Sequence, residues 1–279
     1  MIETALHIIR SNASGRFGLF AVALILAAAL LAPWIGTHGP NAIDPIHRLA
    51  PPSADHWLGT DQLGRDLFTR LLYGARTAIA VALAVIALAL CVGVTLGMTA
   101  AYLPPRGERL ILILFDIISS FPTVILALAL VAVVGPGFGN VILLIAVVFV
   151  PHFGRIARAQ TLTLKNSPFL EAEIVLGAGP WRRMRHHVLP NIIGPIIVLA
   201  SMDIPVVITI EAGLSFLGLG VRPPIASWGS MLNDGYNYLD QSYWPVIASG
   251  FALTMATLGF TLLGEAFRDA IDPKLRRQP

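Results

Sequence analysis

Three carboxylates, Asp116, Asp203 and Glu211, stand in stretches of sequence otherwise too apolar to hold a charge. In hydrocarbon an ionised carboxylate costs several kcal/mol unless it is paired or hydrated. Carboxylates there mark either a water-filled pathway that passes a charged solute or a buried, hydrogen-bonded packing joint. Asp203 and Glu211 sit about 80° apart around one helix, so a single broad face can carry both. A denser group follows at 171–191, "EAEIVLGAGPWRRMRHHVLPN", which sets two carboxylates, three arginines and two histidines between long apolar runs. Ser167 and Pro168 read as a helix start, a hydroxyl able to cap followed by a ring whose fixed φ suits the first helical position. The helix carries Glu171 and Ala172 and ends at Gly177, the residue type that most easily takes the left-handed conformation closing a helix. Gly179-Pro180 opens a second short helix, and Pro190 ends or kinks it. Such an element is either a solvated surface turn or a helix offered to a partner's groove, and the residue types alone leave both open.

Other chemistry is sparse. None of the seven histidines falls in an H-x-x-x-H or HExxH arrangement. His38, His47 and His56 share one polar loop at loose spacing and read as solvated, with an extracytoplasmic metal site as the alternative. The single Cys91 lies in an apolar run, which excludes an internal disulfide and a cysteine-built metal cluster. No G-x-S-x-G occurs. The two lysines, Lys165 and Lys274, are not preceded by glycine, so a phosphate-binding G-x-x-x-x-G-K-[ST] loop is missing. The chain is therefore expected not to be an enzyme, with no catalytic residue, metal or cofactor of its own.

The elements that position these residues follow from composition. Of 279 residues 56% are hydrophobic and only 13% charged, whereas a soluble domain carries about 25% charged residues. With a mean hydropathy of +0.74, the chain reads as an all-α integral membrane protein with the lipid bilayer as its solvent. Its net charge of +3 belongs to loops on one side of a membrane, and no nucleic-acid partner is expected.

A span needs about 20 apolar residues, and six such runs occur, near 17–36, 77–103, 110–134, 140–158, 192–212 and 246–264. The first, preceded by Arg10 and Arg16, reads as an uncleaved anchor. Fourteen of the nineteen Lys and Arg fall in the two tails and in alternate loops, which predicts both termini and the 171–191 insert in the cytoplasm. "PPRGE" joins spans two and three as a tight hairpin, and Pro122 is expected to kink span three. Gly93 and Gly97 form a small-xxx-small pattern for close helix approach. Before span two, Asp61 is expected to cap an amphipathic interfacial helix starting near Gln62, with Leu63, Leu67 and Leu71 on one face. The chain thus divides into residues 1–76 (tail, first span and extracytoplasmic loop) and a five-span core, 77–279, with a cytoplasmic loop at about 159–191.

Three motifs agree in order and topology with a known family. "EAEIVLGAGPWRRMRHHVLP" is similar to the EAA loop of permeases from binding-protein-dependent ABC importers. "GTDQLGRDLFTRLLYGART" and "EAGLSFLGLGVRPPIASWGSML" resemble hallmarks of the C-type permease of dipeptide, oligopeptide and nickel importers. The resemblance runs from about Leu58 to Pro273, and Glu173 departs from it where the motif usually has alanine. It implies a type I importer permease fold of six transmembrane helices in a bacterial or archaeal cell membrane. It further implies a second, non-identical permease of the B type, two cytoplasmic ATPases holding ATP and Mg, and an extracytoplasmic substrate-binding protein. The EAA loop would be the coupling helix, with Glu171, Ala172, Gly177, Leu189 and Pro190 as its matching positions. Asp116, Asp203 and Glu211 remain candidates for the translocation pathway. The cargo would be a peptide, with nickel or opine-like conjugates as the alternative within the family. An ion-coupled secondary transporter is the rival from another class; it predicts internal repeats, and no convincing one is found.

Overall fold

In hydrocarbon every backbone N–H and C=O must find its partner inside the segment, so apolar runs of this length fold as helices. The computed structural model describes residues 13–271, and among them every regular element is helical, apart from an isolated bridge between Thr60 and Asp66. The helices are α1 (Ala13–Ile35), α2 (Leu67–Tyr102), α3 (Pro105–Ser119), α4 (Thr123–Val134) and α5 (Phe138–Lys165). After them come α6 (Pro168–Val175), α7 (Pro180–Arg183), α8 (Leu189–Phe216), α9 (Trp228–Asn237) and α10 (Trp244–Ile271). The tails whose cytoplasmic placement the charge count predicts lie outside the described residues.

Five helical stretches are long and apolar enough to cross a membrane by themselves. The third predicted span is not one helix. It is α3 and α4, bent by 89° across a short break. Pro122 supplies no N–H for the turn before it. The last carbonyls of α3 are taken instead by Ser120, whose N–H donates to Ile117 O at 3.3 Å and whose hydroxyl donates to Asp116 O at 2.6 Å. The expected kink is thus a full break.

The described residues form two compact units. The first holds those up to Leu83, 130–142 and those from Met202 onward; the second holds 84–129 and 143–201. In the first unit α1 packs along α10, close enough that a Cβ on Gly18 would come within 2.6 Å of Leu263 N. α9 also packs on α10, and the Trp228 indole donates to Leu71 O at 3.0 Å. In the second unit the C-terminal half of α2 lies against α5 with almost no gap. A Cβ on Gly93 would sit 2.6 Å from Val150 O, Gly97 lies closer still to Gly154 O, and the Phe115 ring of α3 rests on Gly154. The small-residue pattern in α2 therefore serves packing within the chain.

The loop between α1 and α2 corrects the expected interfacial helix. No helix starts near Gln62; α2 begins at Leu67 and runs unbroken to Tyr102, so the predicted division at residue 76 falls inside it. Asp66 is its cap, Oδ2 accepting from Thr69 N at 2.8 Å. Asp61 instead closes a turn, its Oδ1 accepting from Leu63 N and Arg65 N, each at 2.9 Å. It also holds Arg65 Nε at 2.6 Å and faces Arg70 Nε at 3.5 Å. Asp61, Arg65, Asp66 and Arg70 are all buried, so the loop carries a polar core of its own. Burial pushes the Asp66 carboxyl up, but hydrogen bonds from the Thr69 backbone and hydroxyl, His56 and Thr37 outweigh it and hold it below the usual carboxylate range.

Candidate coupling loop and membrane carboxylates

The 171–191 insert folds as a helix, a glycine turn and a second helical run. α6 starts at Pro168 with Ser167 in an extended cap conformation. The Ser167 hydroxyl does not cap α6, however. It donates to Leu164 O at 2.6 Å, closing the end of α5. α6 ends in two backbone bonds, Gly177 N to Ile174 O and Ala178 N to Glu173 O, both 2.9 Å. This pairing of the last carbonyls requires a left-handed residue between them, and Gly177 has φ +79°. A Cβ there would meet nothing within 4 Å, so the demand for glycine is conformational and not steric.

The second helix is not short. α7 passes through a π turn, Met184–Val188, directly into α8, making one helical run from Pro180 to Phe216. Leu189 N bonds Met184 O, five residues back. Wider turns of this kind absorb the N–H that Pro190 lacks, so Pro190 continues the helix instead of ending it.

Three contacts seat the insert inside its unit. Leu170 is 1% exposed. Lys165 and Arg183 both lie over the Tyr102 ring, at 5.3 and 5.5 Å, and Lys165 Nζ donates to Ala101 O at 2.9 Å. Glu173, where the resemblance expects alanine, faces inward to His187 at 3.4 Å and ties α6 to the π turn.

With that base held, the tip is apolar and open: Val175 is 87% exposed, Leu176 80% and Trp181 66%. Glu171, Ala172, Gly177 and Pro190 are also exposed, and Leu189 is half-buried. The sequence reading singled out Glu171, Ala172, Gly177, Leu189 and Pro190 and did not include Val175, Leu176 or Trp181. The signal was available in two large apolar residues immediately before a helix-closing glycine.

The three membrane carboxylates have different surroundings. Asp116 lies exposed on α3 and pairs with Arg155 of α5 at 2.9 Å. Arg155 also lines a cleft of about 310 Å³ together with Ser119, Phe121, Thr123 and His152, around the α3–α4 break. A second pair also joins α3 to α5, Glu108 accepting from Arg158 Nε at 2.7 Å.

In the other unit, Glu211 is 2% exposed and its Oε1 accepts from Ser215 at 2.6 Å and Ser227 at 3.0 Å. The Ser215 hydroxyl in turn accepts from Val221 N at 3.2 Å. Glu211 therefore joins α8, the loop after it and the start of α9, which is the packing alternative. Asp203 lies half-buried on the same helix, α8.

Residues 93–277 match the family described as binding-protein-dependent transport system inner membrane component. Residues 1–52 match the N-terminal transmembrane domain of oligopeptide transport permease C. A probable D,D-dipeptide transport system permease protein of Escherichia coli is 41% identical over 91% of this chain and 85% of its own length. A dipeptide transport system permease protein of Alkalihalophilus pseudofirmus is 38% identical over 96% of this chain and 88% of its own. A glutathione transport system permease protein of Pectobacterium atrosepticum is 37% identical over 95% and 87%.

Proposed function

The chain belongs to the family of binding-protein-dependent transport system inner membrane components, and from that premise we propose that it is the C-type permease of a peptide importer. As such a component it is a multi-pass protein of the cell membrane, it works with a substrate-binding protein, and ATP hydrolysis is the task of separate ATPase subunits. Peptides are the cargo in this reading because the relatives that cover most of the chain are named for dipeptide and glutathione transport. The observation that carries the coupling role is the insert itself, an apolar tip on a base held by Leu170, Tyr102 and the Glu173–His187 contact. A groove on an ATPase would bury Val175, Leu176 and Trp181 and move the long Pro180–Phe216 helix as a rigid body. A second, non-identical permease of the B type completes the pore, and ATP and Mg sit on the ATPases. Asp203 is the carboxylate assigned to the pathway.

Purification from native membranes is expected to bring along two ATPases and a second permease. Uptake of peptide by the reconstituted complex should need both ATP and the binding protein. Uptake by the isolated chain, driven by an ion gradient, would refute this reading. In the same assay Asp203→Asn is expected to slow cationic peptides more than neutral ones, and equal rates for both would remove Asp203 from the pathway.

Six spans with both termini in the cytoplasm remain the topology proposed, the α3–α4 pair counting as one broken span. In a Cys91→Ser background, Asp55→Cys should react with an impermeant thiol reagent on intact cells. Arg182→Cys should react only after the membrane is opened. Equal labelling of the two rules the topology out.

A further inference from the structure

His38, His47 and His56 lie well apart along the loop between α1 and α2, yet the fold gathers them. The His56 ring stacks on His38 with centroids 4.6 Å apart and lies 6.0 Å from His47. Two carboxylates border the rings. Asp66 Oδ1 is 3.0 Å from His56 Nδ1 and 3.9 Å from His38 Nδ1, and Asp44 Oδ2 is 2.7 Å from His47 Nδ1. His56 and Asp66 are 8% and 2% exposed, so the expectation of solvated histidines fails for the central ring.

We propose that His38, His56 and Asp66 form a binding site for a divalent transition-metal ion, zinc by the character of its donors. The Asp44–His47 pair would border its fourth position. Within each of the trios His38–His56–Asp66 and Asp44–His47–His56 the ligand atoms all fall within 4.8 Å of one another. A tetrahedral zinc with bonds of about 2.0–2.1 Å holds its ligand atoms roughly 3.3 Å apart, and the Asp66–His56 and Asp66–His38 distances bracket that value.

The two oxygens of Asp66 are divided as a metal ligand requires. Oδ2 accepts from Thr69 N at 2.8 Å and from the Thr37 hydroxyl at 3.2 Å, which fixes the carboxylate, while Oδ1 faces the two imidazoles. Outer contacts of this kind orient metal-binding groups. A simple hydrogen bond accounts for His56 with Asp66 and leaves His38 outside, its Nδ1 beyond hydrogen-bond reach of the carboxylate and against the hydroxyl of neighbouring Thr37 at 3.0 Å. A shared ion accounts for both rings. Two imidazoles and one carboxylate are the borderline nitrogen and oxygen set that suits zinc over calcium or magnesium. The half-exposed His38 leaves an open edge for entry. Bound there, the ion would fasten the start of the loop to the residue that caps α2.

The test is zinc binding by the full chain, purified in detergent with a tag free of histidine, stripped with a chelator and titrated with zinc alone. Wild type is expected to hold one zinc per chain, by elemental analysis and chelator competition. His38→Gln and His56→Gln should each weaken binding by at least about tenfold. His186→Gln/His187→Gln should not change it. His38 is half-exposed, so its variant keeps the fold and carries the decision even where His56→Gln aggregates. Zinc should raise the unfolding temperature of wild type and not that of His38→Gln. Equal affinity in wild type and His38→Gln, or no zinc held by wild type, would overturn the site. The result is independent of what the transporter carries.

Discussion

Gly97→Leu is expected to remove nearly all monodisperse, protease-resistant protein from the membrane fraction. A Cβ at Gly97 would collide with the Gly154 carbonyl oxygen and lie 3.1 Å from Ala157 Cβ, and the neighbouring Gly93 faces Val150 O in the same way. These obstacles are backbone atoms, which cannot rotate aside as a side chain would, so α2 and α5 must separate. In lipid there is little hydrophobic drive to hold helices together, and association depends on the close approach that such glycines permit. Overpacking a core by one or a few methylenes costs about 1–3 kcal/mol, which places Gly97→Ala at a measurable loss. Leucine adds several more atoms against the same backbone, a cost comparable with the whole stability of a domain at about 5–15 kcal/mol. Gly139→Leu is the control, since a Cβ on Gly139 meets nothing within 4 Å. If Gly97→Leu gives the yield and thermal resistance of wild type, the α2–α5 contact is not what holds the second unit.

Val175→Asp/Leu176→Asp should do the opposite: leave the chain folded and inserted, and reduce transport to background. Both side chains are more than three-quarters exposed in this chain, and surface substitutions of that kind usually change stability by no more than about 0.5 kcal/mol. In a partner's groove the same two carboxylates would be desolvated without a counter-ion. Losing an interface anchor costs about 2 kcal/mol or more, roughly a 30-fold weaker contact even before repulsion is counted. Gly177→Val tests the turn separately. With nothing near its Cβ, the penalty is that of a left-handed conformation, about 1–2 kcal/mol. It should misalign the tip and lower coupling without unfolding the chain. Glu171→Ala, on the exposed face of α6, should be milder still. The measurements are retention of the ATPases on purification and substrate-stimulated ATP hydrolysis in lipid. Unchanged retention and hydrolysis in Val175→Asp/Leu176→Asp would mean that the tip is not the ATPase contact.

What could be read in advance divides along one physical line. Helix positions, the turn at Gly177 and the start of α6 at Pro168 follow from properties that residues carry locally: apolar length, a fixed φ, freedom to adopt a positive φ. The same holds for the membership of the chain in its family, because the EAA loop and the two flanking motifs are contiguous strings. Where two readings of one string competed, the sequence had no means to choose. Asp61 reads as a helix cap, but Arg65 and Arg70 draw it into a buried ion cluster, and Asp66 opens α2 instead. Pro122 was legible as a kink, but an 89° break needs Ser120 to satisfy the carbonyls that α3 leaves behind. Glu211 stood between the pathway and packing readings in the sequence, and its bonds from Ser215 and Ser227 come into view only in the fold.

Asp116 found Arg155 from another helix, and His38 and His56 stack beside Asp66 with the Asp44–His47 pair next to them. By itself, the sequence determined an all-helical membrane permease component with a charged helical insert set between its apolar runs. Only the tertiary structure decided which of its charges are spent on partners within the chain. A carboxylate's role depends on donors within about 3 Å, and local donors such as Ser215 for Glu211 are joined in this fold by distant ones, Arg155 for Asp116, Ser227 for Glu211 and His56 for Asp66, that local spacing does not reveal.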